Sequence, residues 1–133
     1  MNNTQTNTKA GGLTLPSANS LEGKNGLLAK LTANGVALPT AINDDVPYVI
    51  VDGGETETGV KPLSSGEQVR VYIKGTCNMG DLLCLAEISG EDAGKVRTLP
   101  SASGSYAVIG IAEESAEDGQ AVLVRAYSKS VTI

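Results

Sequence analysis

The chain has 133 residues, 41% of them hydrophobic but only 3% aromatic, and carries a formal net charge of −5 from 10 Lys and Arg against 15 Asp and Glu. That length suits one domain, which would bury about two thirds of its unfolded surface. No cationic cluster lies beside stacking aromatics, no run reaches membrane-spanning length, and there is no histidine for general-base work. Nucleic-acid binding, a helical membrane span and ordinary acid–base catalysis are therefore set aside.

Without Phe or Trp, the interior must be filled by Val, Ile, Leu and Ala, which favours thin β-structure over a deep aromatic core. The 16 glycines fit many tight turns. Two cysteines and no histidine cannot assemble a usual zinc site. Cys77 and Cys84 are read as free, half-buried thiols, with a disulfide across neighbouring strands as the alternative. The polar start, Met1 to Lys9, lacks the apolar core of a signal peptide, so synthesis in a cytoplasm is expected.

Residues 1–22 read as an extended N-terminal arm, rich in Asn and Thr, with Leu13, Leu15 and Leu21 as its apolar points. Alone, such a segment cannot offset its ordering entropy. It is either a free tail or an arm that adds Leu13-Thr14-Leu15 as a strand to a neighbouring subunit. Residues 23–133 read as a single β-domain. Leu27 to Thr32 is its first strand, and Asn34-Gly35 turns into Val36 to Leu38. Pro39 ends that run by removing a ladder donor.

Asn43-Asp44-Asp45 is a turn without the spacing of a calcium loop, and Val46 to Val51 is the next strand. Gly53 to Gly59 is a loop tip. Gln68 to Lys74 is the clearest strand, because Val69, Val71 and Ile73 alternate with Arg70, Tyr72 and Lys74. Leu82 to Ile88 is apolar on both faces, as in a strand covered on both sides. Lys95 to Leu99 and Tyr106 to Ala112 follow, the latter with Gly110 marking a bulge or close backbone approach. Glu113 to Asp118 is an acidic turn or a single helical turn. Gln120 to Tyr127 is the last long strand, and Val131 to Ile133 an edge or swapped strand.

Regular short runs between turn residues predict an all-β fold, a small β-barrel or sandwich of short antiparallel strands with an extended N-terminal arm. The wording of the second half carries a resemblance. Ile73-Lys74-Gly75-Thr76, Gly80-Asp81-Leu82-Leu83, Gly94-Lys95-Val96, Val108 to Gly119 and Ala121 to Ala126 occur in that order. This half resembles the small β-barrel decoration (cement) proteins of tailed-phage capsids. The resemblance implies a structural virion protein made in the host cytoplasm. It would bind the major capsid protein of a phage shell from outside, as a homotrimer, and would stabilise the head.

The chain departs from that family in its long N-terminal third. Nucleic acid, membrane and cofactor have no place in this reading, and no enzymatic role is expected. No Ser-x-x-Lys, Gly-x-Ser-x-Gly or Gly-x-Gly-x-x-Gly occurs. The candidate interface residues are Leu13, Leu15 and Leu21 of the arm, and Glu113, Glu114, Glu117 and Asp118 of the acidic turn. Two other readings remain. One is a biotinyl- or lipoyl-like carrier module with Lys95 as the modified residue. The other is a small virion-surface domain binding carbohydrate or protein through its few tyrosines.

Overall fold

A computed structural model describes residues 13–89 and 91–133. Among them there is no helix, and ten strands form two antiparallel sheets of five. In order they are β1 (Leu13–Pro16), β2 (Leu28–Thr32), β3 (Gly35–Ala37), β4 (Tyr48–Asp52) and β5 (Glu57–Pro62), then β6 (Gln68–Tyr72), β7 (Leu82–Leu85), β8 (Val96–Thr98), β9 (Ser105–Ala112) and β10 (Ala121–Thr132). The all-β reading stands. The barrel alternative does not, because the edge strands of each sheet meet at a single isolated bridge and not along a ladder; two five-stranded sheets are compatible with a sandwich.

The two sheets follow one plan. Their strand orders are β1-β5-β4-β2-β3 and β6-β10-β9-β7-β8, the same sequence of places in each half. The register repeats as well. Leu13 pairs with Val60 and Pro16 with Glu57 in the first sheet, as Val69 pairs with Val124 and Tyr72 with Ala121 in the second. Leu28–Val49 corresponds to Leu82–Ile111, Leu31–Val36 to Leu85–Val96, and Ile50–Val60 to Ala112–Val124.

Each sheet curls until its edge strands touch at one isolated parallel bridge, Ser17–Val36 or Ile73–Val96. The N–H of Ala18 donates to Val36 O there at 2.9 Å, and that of Lys74 to Val96 O at 2.8 Å. Gly26 and Gly80, at φ 85° and 95°, donate to Ile50 O and Ala112 O, each at 2.8 Å. The described chain thus contains two copies of one module, 13–62 and 68–126, joined by Leu63 to Glu67.

Each module has its own interior. Leu21, Leu27, Ala29, Val36, Ile50 and Val60 fill the first, with Leu13, Leu15, Leu38 and Tyr48 packed against them. The second interior is larger and takes in Leu28, Val46 and Val49 from the first module, which joins the halves. Apolar area removed from water contributes about 25 cal/mol per Å², so this shared core is what makes one unit of two modules.

Several expectations change here. Leu13 and Leu15 do not reach out of the domain, because β1 is paired along its length with β5 of the same chain. Leu21 is 2% exposed. These three side chains wall the first interior, which would stand open without them. The body therefore takes in residues from Leu13 on, ahead of the expected residue 23, and the rest of the expected arm, residues 1–12, lies outside the described residues.

The expected separate strand from Val131 is the end of β10, which pairs with β9 from Lys129 to Thr132 beyond a bulge after Ala126. The strand expected to Ile88 stops at Leu85. The β2–β3 hairpin forms, but Ala33 and Asn34 make its turn and Gly35 opens β3 at φ 123°. A methyl group at Gly35 would meet Pro16 O at 2.2 Å, so the glycine is needed for the approach of β1 as much as for the turn.

Candidate functional site: the acidic turn and the seam between modules

The turn from Glu113 to Gly119 joins β9 to β10 and contains no helix. It lies against the β6–β7 connection through a Cys77–Ala116 bridge, whose two N–H···O bonds are 3.0 and 3.1 Å. Asp118 Oδ1 accepts the N–H of Gly75 at 2.7 Å, and Ser115 Oγ accepts that of Met79 at 3.1 Å. These bonds satisfy backbone donors that the β6–β7 connection would otherwise leave free.

The carboxylates are mostly engaged by neighbours of their own chain. Glu113 Oε2 accepts from Arg125 Nε at 2.8 Å and Oε1 from Gln68 Nε2 at 2.6 Å. Arg125 first, then Gln68, hold its carboxyl below the usual 4.5. Glu114 pairs with Arg70 at 3.3 Å. Being exposed, such pairs contribute little to stability, yet they cancel the charge that a partner would read. Of the four candidate acids, Glu117 alone is exposed without a side-chain bond among the described residues. The acidic turn is chiefly a clamp between β6, β10 and the β6–β7 connection. Leu13, Leu15 and Leu21 lie in the other module, so the two groups of candidates do not form one site.

A cleft of about 410 Å³ lies on the seam between modules, lined by residues 43–47 and Leu63 on one side and by Ala107, Val108, Ile109, Ala126 and Tyr127 on the other. Asp44 stands at its rim. Its Oδ2 accepts the N–H of Thr40 at 2.8 Å, that of Ala41 at 3.1 Å and the Lys30 ammonium at 3.2 Å. Burial opposes ionisation of Asp44, but the Thr40 N–H, the Lys30 ammonium and the Ala41 N–H outweigh it and lower its pKa from 3.8. Asp44 is a turn former, as expected.

A folded pKa below the unfolded one gives stability that is present above the unfolded value and lost as pH falls through the folded value. Asp44→Asn is therefore expected to cost about 1 kcal/mol at neutral pH. The gap to wild type should close in melts below about pH 4; a gap independent of pH would refute this account.

Cys77 and Cys84 are buried free thiols, and burial pushes both pKa values up, away from nucleophilic or metal-binding use. No three acids or cysteines among the described residues come together to hold a metal ion. Lys95 bonds Asp92 at 3.1 Å, and Lys74 approaches the same carboxylate at 3.5 Å. Lys95 lies at the end of a connection running from Ala86, not at the tip of a tight turn, which does not favour a carrier lysine.

Of the tyrosines, Tyr106 is buried and its hydroxyl donates to Ala102 O, while Tyr72 is 39% exposed with its ring over Gly26. An open stacking platform for a sugar is not formed by either. Sequence reasoning missed the exposed apolar residues Leu31 and Met79, at 54% and 69%, because their exposure depends on which end of a module is covered. Compared with family models, curated proteins and solved structures, the chain gives no match.

Proposed function

We propose that this protein is a non-enzymatic decoration module of a tailed-phage capsid. It binds the major capsid protein shell from outside, as a trimer, and stabilises the head. One observation carries the reading. The five segments that resemble cement proteins fall in order on a single folded unit, from the end of β6 through β7, β8 and β9 to β10. They fall on or beside four of the five strands of the second sheet, β7 to β10, and so within one module. A rigid module of backbone-paired strands suits the task, since decoration asks for many modest contacts repeated over a lattice and no catalytic group.

The test is cosedimentation with expanded, undecorated heads, using the full chain and a form starting at Leu13. Truncation further in would remove β1 and open the first interior, confusing binding with folding. Saturable binding by the full chain is expected, and its loss in the shorter form would assign shell contacts to residues 1–12. A folded chain that leaves the heads bare at all concentrations would end the decoration reading.

A further inference from the structure

We infer that copies of this chain dock head to tail, repeating between chains the contact that its two modules make within one. The inference rests on the module contact and extends the decoration reading by saying which surfaces the copies share.

The internal contact is one-sided. The first module contributes Gly26, Leu28 and Val49. The second contributes Tyr72, whose N–H donates to Gly26 O at 3.1 Å, and Gly94, whose carbonyl accepts from Leu28 N–H at 2.8 Å. The fit is close at both points. A methyl group on Gly26 would meet the Tyr72 ring at 2.7 Å, and one on Gly94 would meet Leu28 O at 2.9 Å.

A twofold arrangement would repeat these contacts with roles exchanged, setting Gly80 against Pro16 and Leu82 against Asn34. It does not. A methyl group on Gly80 would meet nothing within 4 Å, Pro16 has no N–H to donate, and Asn34 is exposed. The contact is heterologous, and a heterologous contact leaves the counterpart of each half free at the two ends of the chain.

Those free ends retain the apolar part of the contact. On the second module, Gly80, Leu82 and Ile111 stand where the first has Gly26, Leu28 and Val49. Leu82 and Ile111 are only half-buried, whereas Leu28 and Val49 are 0% and 4% exposed. On the first module, the flat apolar Pro16 stands where Tyr72 receives Gly26. On the same module Leu31 is 54% exposed, although its counterpart Leu85 is fully buried. A second copy of this chain fits both ends through the apolar faces and the Leu82 N–H, which can donate to Asn34 O as Leu28 donates to Gly94 O; the Tyr72–Gly26 bond is not repeated, because Pro16 has no N–H. Successive docking gives a ring if the rotation closes. A trimer would then be a ring of six modules.

The experiment is sedimentation equilibrium of the full chain, of Leu31→Asp, of Leu82→Asp and of their equimolar mixture. The wild-type mass is expected to exceed 13.6 kDa and to rise with concentration. Each variant alone should be monomeric, its association weakened at least about tenfold. The mixture should form a dimer and stop there, since one intact head meets one intact tail. If Leu82→Asp does not melt cooperatively, Leu82→Ser takes its place.

A wild type that stays monomeric up to about 1 mM, variants that associate as well as wild type, or a mixture that remains monomeric each overturn head-to-tail docking. A monomeric chain that still saturates phage heads would overturn docking alone. A ring-forming chain that ignores the heads would overturn decoration alone.

Discussion

Replacing Gly110 with alanine is expected to lower the melting temperature by about 12 °C. A methyl group there would lie 2.2 Å from Arg125 O and 2.7 Å from Val124 Cγ1. The oxygen belongs to β10, which is paired with β9 directly opposite, Ala126 with Gly110 and Arg125 with Ile111. It cannot retreat without breaking that ladder. On its other side β9 carries a bulge, since Leu83 pairs with Gly110 but Cys84 with Val108. Overpacking against fixed backbone costs about 3 kcal/mol. For a chain of this size each kcal/mol moves the midpoint by about 4 °C.

Gly119→Ala is the control. It meets nothing within 4 Å, and its φ of 84° alone should cost about 1 kcal/mol. Thermal melts of both variants decide the matter. Equal shifts would mean that β10 yields to the methyl group and that the close approach does not make Gly110 necessary.

Leu28→Ala and Leu82→Ala change the same place in the two modules, and their expected effects differ several-fold. Leu28 is fully buried and packs into the core shared by both modules, so truncation leaves a cavity and costs about 3 kcal/mol. Leu82 is half-buried at the free end of the second module, so the same truncation should cost under about 1 kcal/mol. Urea denaturation at low protein concentration measures both without help from association. Comparable losses would refute the one-sided contact between modules.

The strand pattern was legible because it depends on local chemistry. Alternation from Val69 to Ile73 marked a strand with one wet face, and Gly110 inside an apolar run marked a distorted ladder. The internal repeat was harder to read. The similar strings Asn25-Gly26-Leu27-Leu28 and Gly80-Asp81-Leu82-Leu83 suggest matching leucine to leucine, but the hydrogen bonds match Gly26 to Gly80 and so Leu27 to Asp81. Backbone pairing makes the register, and the side chains that fill it differ between modules.

The sequence by itself determined that this is an all-β chain of short strands with an aliphatic interior, because periodicity, turn residues and the absence of Phe and Trp act within a few residues. It also placed the turn role of Asp44. Tertiary structure alone decided that Leu13, Leu15 and Leu21 wall an interior. It decided, too, that Glu113 and Glu114 are neutralised by Arg125 and Arg70, and that Leu31 is bare where Leu85 is covered. The physical reason is that burial and charge pairing join residues distant in the chain. A leucine or a glutamate carries no local mark of what will be packed against it.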